Sequence, residues 1–150
     1  MGIIIIAEAG VNHNGSIATA KKMVLSAKEA GADYIKFQTF SPEKLVSKSA
    51  QKADYQKQAA RAEESQLEML QKLALTKEGF IELKEYCQSH GIGFLSTPFD
   101  LGSIHFLKQL GMDFWKLPSG EITNLPYLLE IAKTRKPVVM STGMCELGEV

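Results

Sequence analysis

Short apolar runs alternate with amphipathic stretches along the whole chain. The apolar runs begin near residues 3, 33, 92, 114 and 137, and their length is typical of buried strands. Because helical segments separate them, we expect a parallel sheet with helical crossovers. The predicted strands are Ile3–Ala7, Asp33–Thr39, Ile92–Thr97, Asp113–Leu117 and Pro137–Thr142.

The stretches between the strands carry apolar residues three and four positions apart, as amphipathic helices do. Most of them also have residues suited to helix ends. The residues that can cap a helix at its N-terminus are Ser16, Thr76, Asp100 and Asn124. The glycines that can end a helix are Gly31, Gly91 and Gly111.

The connection between the second and third strands differs from the others, because residues 40–64 are polar and only weakly periodic. We expect a long loop with at most a little helix there. A set of leucines then predicts a short helix before Thr76. These leucines are Leu67, Leu70, Leu73 and Leu75.

Two folds are compatible with this alternation. A doubly wound open sheet is complete with five strands, whereas a (β/α)8 TIM barrel needs roughly 250 residues. A finished doubly wound domain normally closes with a helix, but the chain reaches Val150 just after the fifth strand. We therefore expect residues 1–150 to be the first half of a (β/α)8 barrel in a longer protein.

Composition narrows the classes of partner. Lys and Arg number 17 and Asp and Glu number 17, for a formal net charge of +0. Binding to nucleic acid or to a membrane surface is not expected, because both need a basic field. The longest apolar run, Ile3–Ala7, is too short to cross a bilayer. Cys87 and Cys145 form no metal or redox pattern, so we expect a reduced, cytoplasmic protein.

Polar residues lie at or near the carboxyl end of every predicted strand, where α/β enzymes place their active sites. Lys36 and Lys116 lie within otherwise apolar strands, which is costly unless an anion meets them. Hydroxyl groups and glycines follow the third, fourth and fifth strands, so the pattern predicts a phosphate or carboxylate site. The alternative is that each lysine pairs with Glu8 or Glu121 inside a polar core.

Other residues are weaker candidates. Glu121 follows the fourth strand and is either an acid/base group or a surface residue beside a helix. His13 either contacts substrate or caps a loop, whereas His90 and His105 are expected to be structural or exposed. The spacing of His, Asp and Glu forms no metal site. Cys145 has no histidine in a clear base role, so a catalytic thiol is not expected.

Five motifs at the strand ends occur in an order and spacing typical of one family. They are AEAGVNHNGS (7–16), IKFQTF (35–40), FLSTPFD (94–100), WKLPSGEITN (115–124) and MSTGM (140–144). The chain thereby resembles the sialic acid synthase family, which includes legionaminic and pseudaminic acid synthases. The resemblance implies a (β/α)8 barrel that condenses phosphoenolpyruvate with N-acetylmannosamine or a related N-acetylated amino sugar. The products are a nine-carbon 2-keto sugar acid and phosphate.

The resemblance also implies roles for individual residues. Glu8 and Gln38 match contacts to the amino sugar, and Glu121 matches the acidic residue proposed for proton transfer. Pro118 stands where some members have Gly or Ala. Proline at this position resembles the legionaminic and pseudaminic acid synthases. The residues that match phosphoenolpyruvate contacts are Lys36, Thr97, Lys116, Ser119 and Ser141.

Several family features are expected outside these residues. Members require a divalent metal, typically manganese or magnesium, and its two histidine ligands lie in the second half of the barrel. Members form homodimers in which a small C-terminal antifreeze-like domain reaches over the partner's active site. Residues 1–150 are therefore expected to be the N-terminal portion of the catalytic barrel and to be inactive in isolation.

Two other functions stay open from the residues themselves. A class I aldolase on a TIM barrel would use Lys36 or Lys116 to form a Schiff base. A non-catalytic module that binds a phosphosugar would use the same cations without chemistry. Borohydride would trap the Schiff base of an aldolase, whereas the synthase forms no imine. Phosphate release from phosphoenolpyruvate and an amino sugar would exclude the non-catalytic module.

Overall fold

A computed structural model of the chain describes residues 2–46 and 65–150. Its strands are β1 (Ile6–Gly10), β2 (Tyr34–Thr39), β3 (Gly93–Pro98), β4 (Trp115–Leu117) and β5 (Val138–Met140). Its helices are α1 (Ile17–Glu29), α2 (Pro42–Leu45), α3 (Gln66–Leu73), α4 (Lys77–Ser89), α5 (Leu101–Leu110) and α6 (Leu125–Ala132). A 3-10 turn, Ser119–Glu121, follows β4.

The strands pair in parallel with their neighbours in the sequence. The hydrogen-bonded order is β1-β2-β3, with β4 paired to β5, and β4 packs beside β3. A doubly wound sheet would reverse its strand order at a switch point, whereas a barrel adds strands sequentially. The observed order therefore confirms the barrel prediction, and the carboxyl ends of all strands meet on one side.

The helices begin where the sequence predicts, because each predicted cap makes its hydrogen bond. Ser16 and Thr76 accept from the backbone N–H groups of Thr19 and Gly79. Asp100 and Asn124 cap α5 and α6 in the same way. These bonds satisfy N–H groups that the first helical turn leaves without partners.

The strand bounds differ from the predictions most clearly at the start of β1. β1 begins at Ile6 rather than Ile3, and Ile3 is 90% exposed, because pairing with β2 starts only where Ile6 meets Tyr34. Apolar composition identified this strand but did not locate its start. In the polar connection, residues 42–45 form α2, while residues 47–64 of the predicted loop lie outside the described residues.

The core lies between the sheet and its helices. Val24 of α1, Leu83 of α4, Leu107 of α5 and Phe37 of β2 belong to one hydrophobic cluster, and all four are fully buried. Burying a side chain of this size contributes about 1.5–3 kcal/mol. Cys87 belongs to this layer, and burial raises its pKa to about 12. Cys87 is therefore a core residue.

Apolar surface stays open at the two outer strands of the described region. Val138 and Val139 of β5 are 44% and 46% exposed, and Leu129 of α6 is 52% exposed. At the other end, β1 pairs only with β2 among the described residues. None of the described helices is long and apolar enough to cross a membrane.

Candidate active site

A cleft of about 470 Å³ opens at the carboxyl ends of the strands. The residues assigned to the site from the sequence line this cleft, with the exception of Glu121. The residues that sequence reasoning did not assign to it are Gly10, Val11, Asn12 and Phe99. Pro118, singled out only through the family resemblance, also lines the cleft.

Lys36 and Glu8 form an ion pair in the cleft. They are register partners in the β1–β2 pair, and the Lys36 Nζ atom contacts a carboxylate oxygen of Glu8. The Lys36 side chain is only 11% exposed, whereas that of Glu8 is 52% exposed. The carboxylate thus compensates a largely desolvated cation, as the polar-core alternative anticipated, while leaving that cation on the cleft wall.

Lys116 is the second cation of the cleft. Its ammonium group donates to the carbonyl oxygen of Leu117 at 2.7 Å and to the hydroxyl of Ser141. Burial lowers the pKa of Lys116, the charge of Lys36 lowers it further, and Glu8 opposes the change. A bound anion would therefore offset the cost of burying the Lys116 charge. It would also offset the repulsion between the two cations.

Thr97 supplies a hydroxyl that is ready to bind a ligand. Its Oγ1 atom is buried and has no hydrogen-bond partner among the described residues. The preceding residue, Ser96, points to the opposite face of the sheet, where its hydroxyl bonds that of Thr39 at 2.7 Å. An unsatisfied buried hydroxyl costs about 1–3 kcal/mol, so a ligand oxygen at Thr97 would recover that free energy.

Ser119 and Glu121 lie in the same 3-10 turn but differ in position. Ser119 lines the cleft and Glu121 does not. The Glu121 carboxylate accepts a 2.6 Å hydrogen bond from the side-chain amide of Asn124, which also caps α6. The surroundings of Glu121 match the helix-flanking alternative, and its acid/base role stays a prediction.

Glycine at position 10 lets the end of β1 approach the cleft floor. Gly10 has φ 55°, a conformation that favours glycine. A Cβ atom there would lie 3.4 Å from an oxygen of Glu8 and 3.5 Å from the amide nitrogen of Gln38. The strand register also shifts between Glu8 and Gly10, so Gly10 redirects the chain into the next turn.

His13 stabilises the turn after β1 from outside the cleft. Its ring is buried, lies 6.0 Å from the Phe37 ring, and accepts the Gly15 N–H at Nδ1. Its Nε2 atom has no partner among the described residues, and burial lowers the pKa of His13. Of the two predicted roles, the geometry favours loop capping.

The remaining candidates lie outside the cleft lining. His90 Nδ1 is 2.8 Å from the carbonyl oxygen of Tyr86, and the side chain of His105 is 61% exposed. The thiol of Cys145 lies 3.7 Å from the carbonyl oxygen of Ser119. Within residues 2–46 and 65–150, no group of three His, Cys, Asp or Glu side chains could hold a metal ion.

This arrangement can bind a multiply charged anion beside a polar neutral molecule. Lys116, Ser119 and Ser141 lie at the ends of β4 and β5 and Thr97 lies on β3, whereas Glu8, Lys36 and Gln38 lie on β1 and β2. At an effective dielectric near 20, an ion pair at 4 Å is worth roughly 4 kcal/mol. Two such contacts would hold a compact dianion in one orientation.

Comparisons with known proteins agree with this geometry. A model described as the NeuB family matches residues 23–150. N,N'-diacetyllegionaminic acid synthase of Legionella pneumophila is 53% identical over 150 residues, which are 100% of this chain and 42% of that protein. The Campylobacter jejuni enzyme of the same name is 51% identical over 98% of this chain and 44% of its own length.

A solved structure shows the same fold. The N-acetylneuraminic acid (sialic acid) synthetase of Leptospira borgpetersenii, in complex with citrate, superposes with a TM-score of 0.84 and 30% identity. The match covers 99% of this chain and 47% of that chain. The chain thus spans less than half the length of the relatives it matches.

Proposed function

The chain belongs to the NeuB family, and from this premise we propose that the whole protein condenses phosphoenolpyruvate with an N-acetylated amino sugar. The products are a nine-carbon 2-keto sugar acid and phosphate. The observation that carries the proposal is the pair of cations, Lys36 and Lys116, beside the unsatisfied hydroxyl of Thr97 in one cleft.

The described residues act by holding phosphoenolpyruvate. Lys36 and Lys116 pair with its carboxylate and phosphate groups, and the hydroxyls of Thr97, Ser119 and Ser141 bond the remaining oxygens. This fixes the direction in which the carbon C3 of phosphoenolpyruvate faces the sugar aldehyde. Positioning and electrostatic stabilisation are therefore the contributions of this half of the site.

The reaction balances without an external oxidant or reductant. C3 bonds to the aldehyde carbon, the aldehyde oxygen gains a proton, and C2 becomes cationic. Water adds to C2 and releases a proton, and the tetrahedral species expels phosphate to leave the 2-keto acid. Glu121, in the same 3-10 turn as Ser119, is proposed to carry a proton in these steps.

The acceptor sugar is proposed to carry two acetamido groups. Identity is 53% and 51% to the two N,N'-diacetyllegionaminic acid synthases but 30% to the sialic acid synthetase. Pro118 lines the cleft, and proline at this position also resembles the legionaminic and pseudaminic acid synthases. Glu8 and Gln38 are proposed to contact this acceptor.

Membership of the family also supports proposals about the metal, the oligomeric state and the location of the whole protein. We propose a divalent metal, manganese or magnesium, a homodimer, and a cytoplasmic location. The described donors do not fit a metal site, since Glu8 is the only carboxylate on the described cleft wall. The ligands of the metal are proposed to lie outside this chain, and no step of the reaction described above depends on the metal.

Phosphate release tests the proposed function. The whole protein, supplied with manganese and phosphoenolpyruvate, should release phosphate when a diacetamido hexose is added, and less with N-acetylmannosamine. Mannose serves as the control without an acetamido group. If the protein releases no phosphate with any acceptor of this class, the result would contradict the synthase and favour a binding module.

Class I aldolase chemistry is the second candidate, because Lys116 is partly buried in the cleft and burial lowers its pKa, the direction that a Schiff-base lysine needs. A Schiff-base enzyme forms a stable adduct when borohydride is added with a carbonyl substrate. We expect no adduct on Lys116 or Lys36 by mass spectrometry. A trapped lysine that disappears in Lys116→Arg would replace the proposed mechanism.

A further inference from the structure

The turn between β1 and α1 places Asn12 on the lining of the cleft. We propose that Asn12 determines acceptor specificity, by pairing its side-chain amide with an acetamido group of the sugar. This inference rests on the proposed function and adds a residue to the acceptor side of the site. Asn12 lines the cleft and is exposed, and its side chain has no partner in the described part of the chain.

The position of Asn12 favours the acceptor over phosphoenolpyruvate. Of the anion-binding groups, Lys116, Ser119 and Ser141 belong to β4, β5 and the turns that follow them, Thr97 belongs to β3, and only Lys36 lies on β2. Asn12 follows β1, which pairs with β2 at the other side of the described cleft. Its neighbours on this side include Gln38, which matches an amino-sugar contact in the family.

The chemistry of an acetamido group matches an amide side chain. An acetamido group has one N–H donor and one carbonyl acceptor, and an asparagine amide offers both complements. Lysine only donates hydrogen bonds and an ionised carboxylate only accepts them. Among the described residues that line the cleft, Asn12 and Gln38 are the ones with side-chain amides. A sugar hydroxyl also donates and accepts, but through a single oxygen atom, so it cannot span the oxygen and nitrogen of the side-chain amide as an acetamido group can.

The turn that carries Asn12 is held in place before any ligand binds. The Asn12 N–H donates to the carbonyl oxygen of Ala9 at 3.1 Å. The buried ring of His13 accepts the N–H of Gly15, and Gly15 packs against the carbonyl oxygen of Lys72 so closely that a Cβ would collide with it. A contact from a preorganised turn loses little entropy on binding.

The test compares two variants of the whole protein, Asn12→Ala and Asn12→Asp, with Asn14→Gly as the matched control. Asn14 lies in the same turn with φ 49° and does not line the cleft, and glycine accepts that conformation. Acceptor KM, phosphoenolpyruvate Kd and Tm are measured for each. Asp retains the size of Asn but loses the donor.

We expect both Asn12 variants to raise the KM of the diacetamido acceptor by about tenfold. The preference for N-acetylmannosamine over mannose should shrink, because the discriminating amide is lost. Phosphoenolpyruvate Kd and Tm should stay unchanged, and Asn14→Gly should behave as wild type throughout.

Two results would overturn the inference in an active enzyme. One is an unchanged acceptor KM in both Asn12 variants. The other is an equal loss of phosphoenolpyruvate affinity, which would make the turn a general support of the cleft. A wild-type protein that releases no phosphate with any acceptor would instead overturn the proposed function on which the inference rests.

Discussion

Glu8 and Lys36 face each other across the β1–β2 pair, and their charged groups are in contact at the floor of the cleft. The ion pair gives the cleft one compensated and one uncompensated cation, since Lys116 bonds only neutral oxygens. An incoming anion must therefore share Lys36 with a carboxylate that already holds it.

Glu8→Gln removes this competition. We expect phosphoenolpyruvate to bind roughly fivefold more tightly, because a half-exposed charge pair of this kind contributes about 1 kcal/mol or less. Acceptor KM should rise, since Glu8 is proposed to contact the sugar. Calorimetry measures the first effect, and Glu29→Gln on the exposed surface of α1 is the control. Weaker phosphoenolpyruvate binding would show that Glu8 orients Lys36 rather than competing for it.

Lys116→Met should weaken phosphoenolpyruvate binding by roughly 10- to 100-fold, because charge-assisted hydrogen bonds contribute about 1.5–3 kcal/mol. Tm should not fall, since the variant removes a partly desolvated cation that Lys36 repels. Lys108→Met, on exposed α5 surface, is the control. Unchanged affinity by calorimetry would remove Lys116 from the anion site.

His13 should make stability depend on pH. Its folded-state pKa is lowered by burial from the usual 6.5, so the unfolded chain takes up a proton first as pH falls. The free energy of unfolding is thus fully retained above pH 6.5 and decreases as pH drops through the folded-state pKa. Protonation of Nδ1 would also break its bond from Gly15.

Urea unfolding of the whole protein between about pH 7 and pH 5 measures this effect. His13→Gln should flatten the decrease in midpoint over this range. His105→Gln, at a largely exposed position, should leave the decrease as it is in wild type. An identical slope in wild type and His13→Gln would assign the acid sensitivity to other groups.

Glu121→Gln should lower kcat by roughly 100-fold or more while phosphoenolpyruvate Kd stays constant, if the carboxyl group transfers a proton. Asn124→Ser separates this from a structural effect, because serine can still cap α6 but cannot donate the amide bond to Glu121. Wild-type turnover in Glu121→Gln would leave that residue with a purely structural role beside α6.

Residues 1–150 in isolation should self-associate and show no synthase activity, even with manganese. The apolar faces of β5 and α6 are exposed, and such surfaces and strand edges favour association. Light scattering measures the association, and Val139→Lys should reduce it by placing a charge on β5. A soluble monomer with a cooperative thermal transition would contradict this prediction.

Much of the fold and site could be predicted because both follow from local rules. Polar residues near the carboxyl ends of the predicted strands, Lys36, Gln38 and Thr97 among them, line the cleft, and cap residues located the helix starts. Asn12 was missed because it lies in the turn after β1 and not in a predicted strand. The start of β1 depends on its pairing with β2, and the orientation of Glu121 depends on Asn124. Both are tertiary contacts that composition does not encode.

The close approach of Gly15 to the carbonyl oxygen of Lys72 ties the end of α3 to the turn after β1. Any side chain at position 15 would collide with that oxygen, so the seating of α3 depends on glycine there. The end of α3 is thereby linked to the cleft through the turn that carries Asn12, although Lys72 does not line the cleft. Redesign of the connection between β2 and α4 for a new acceptor should therefore keep this backbone contact fixed.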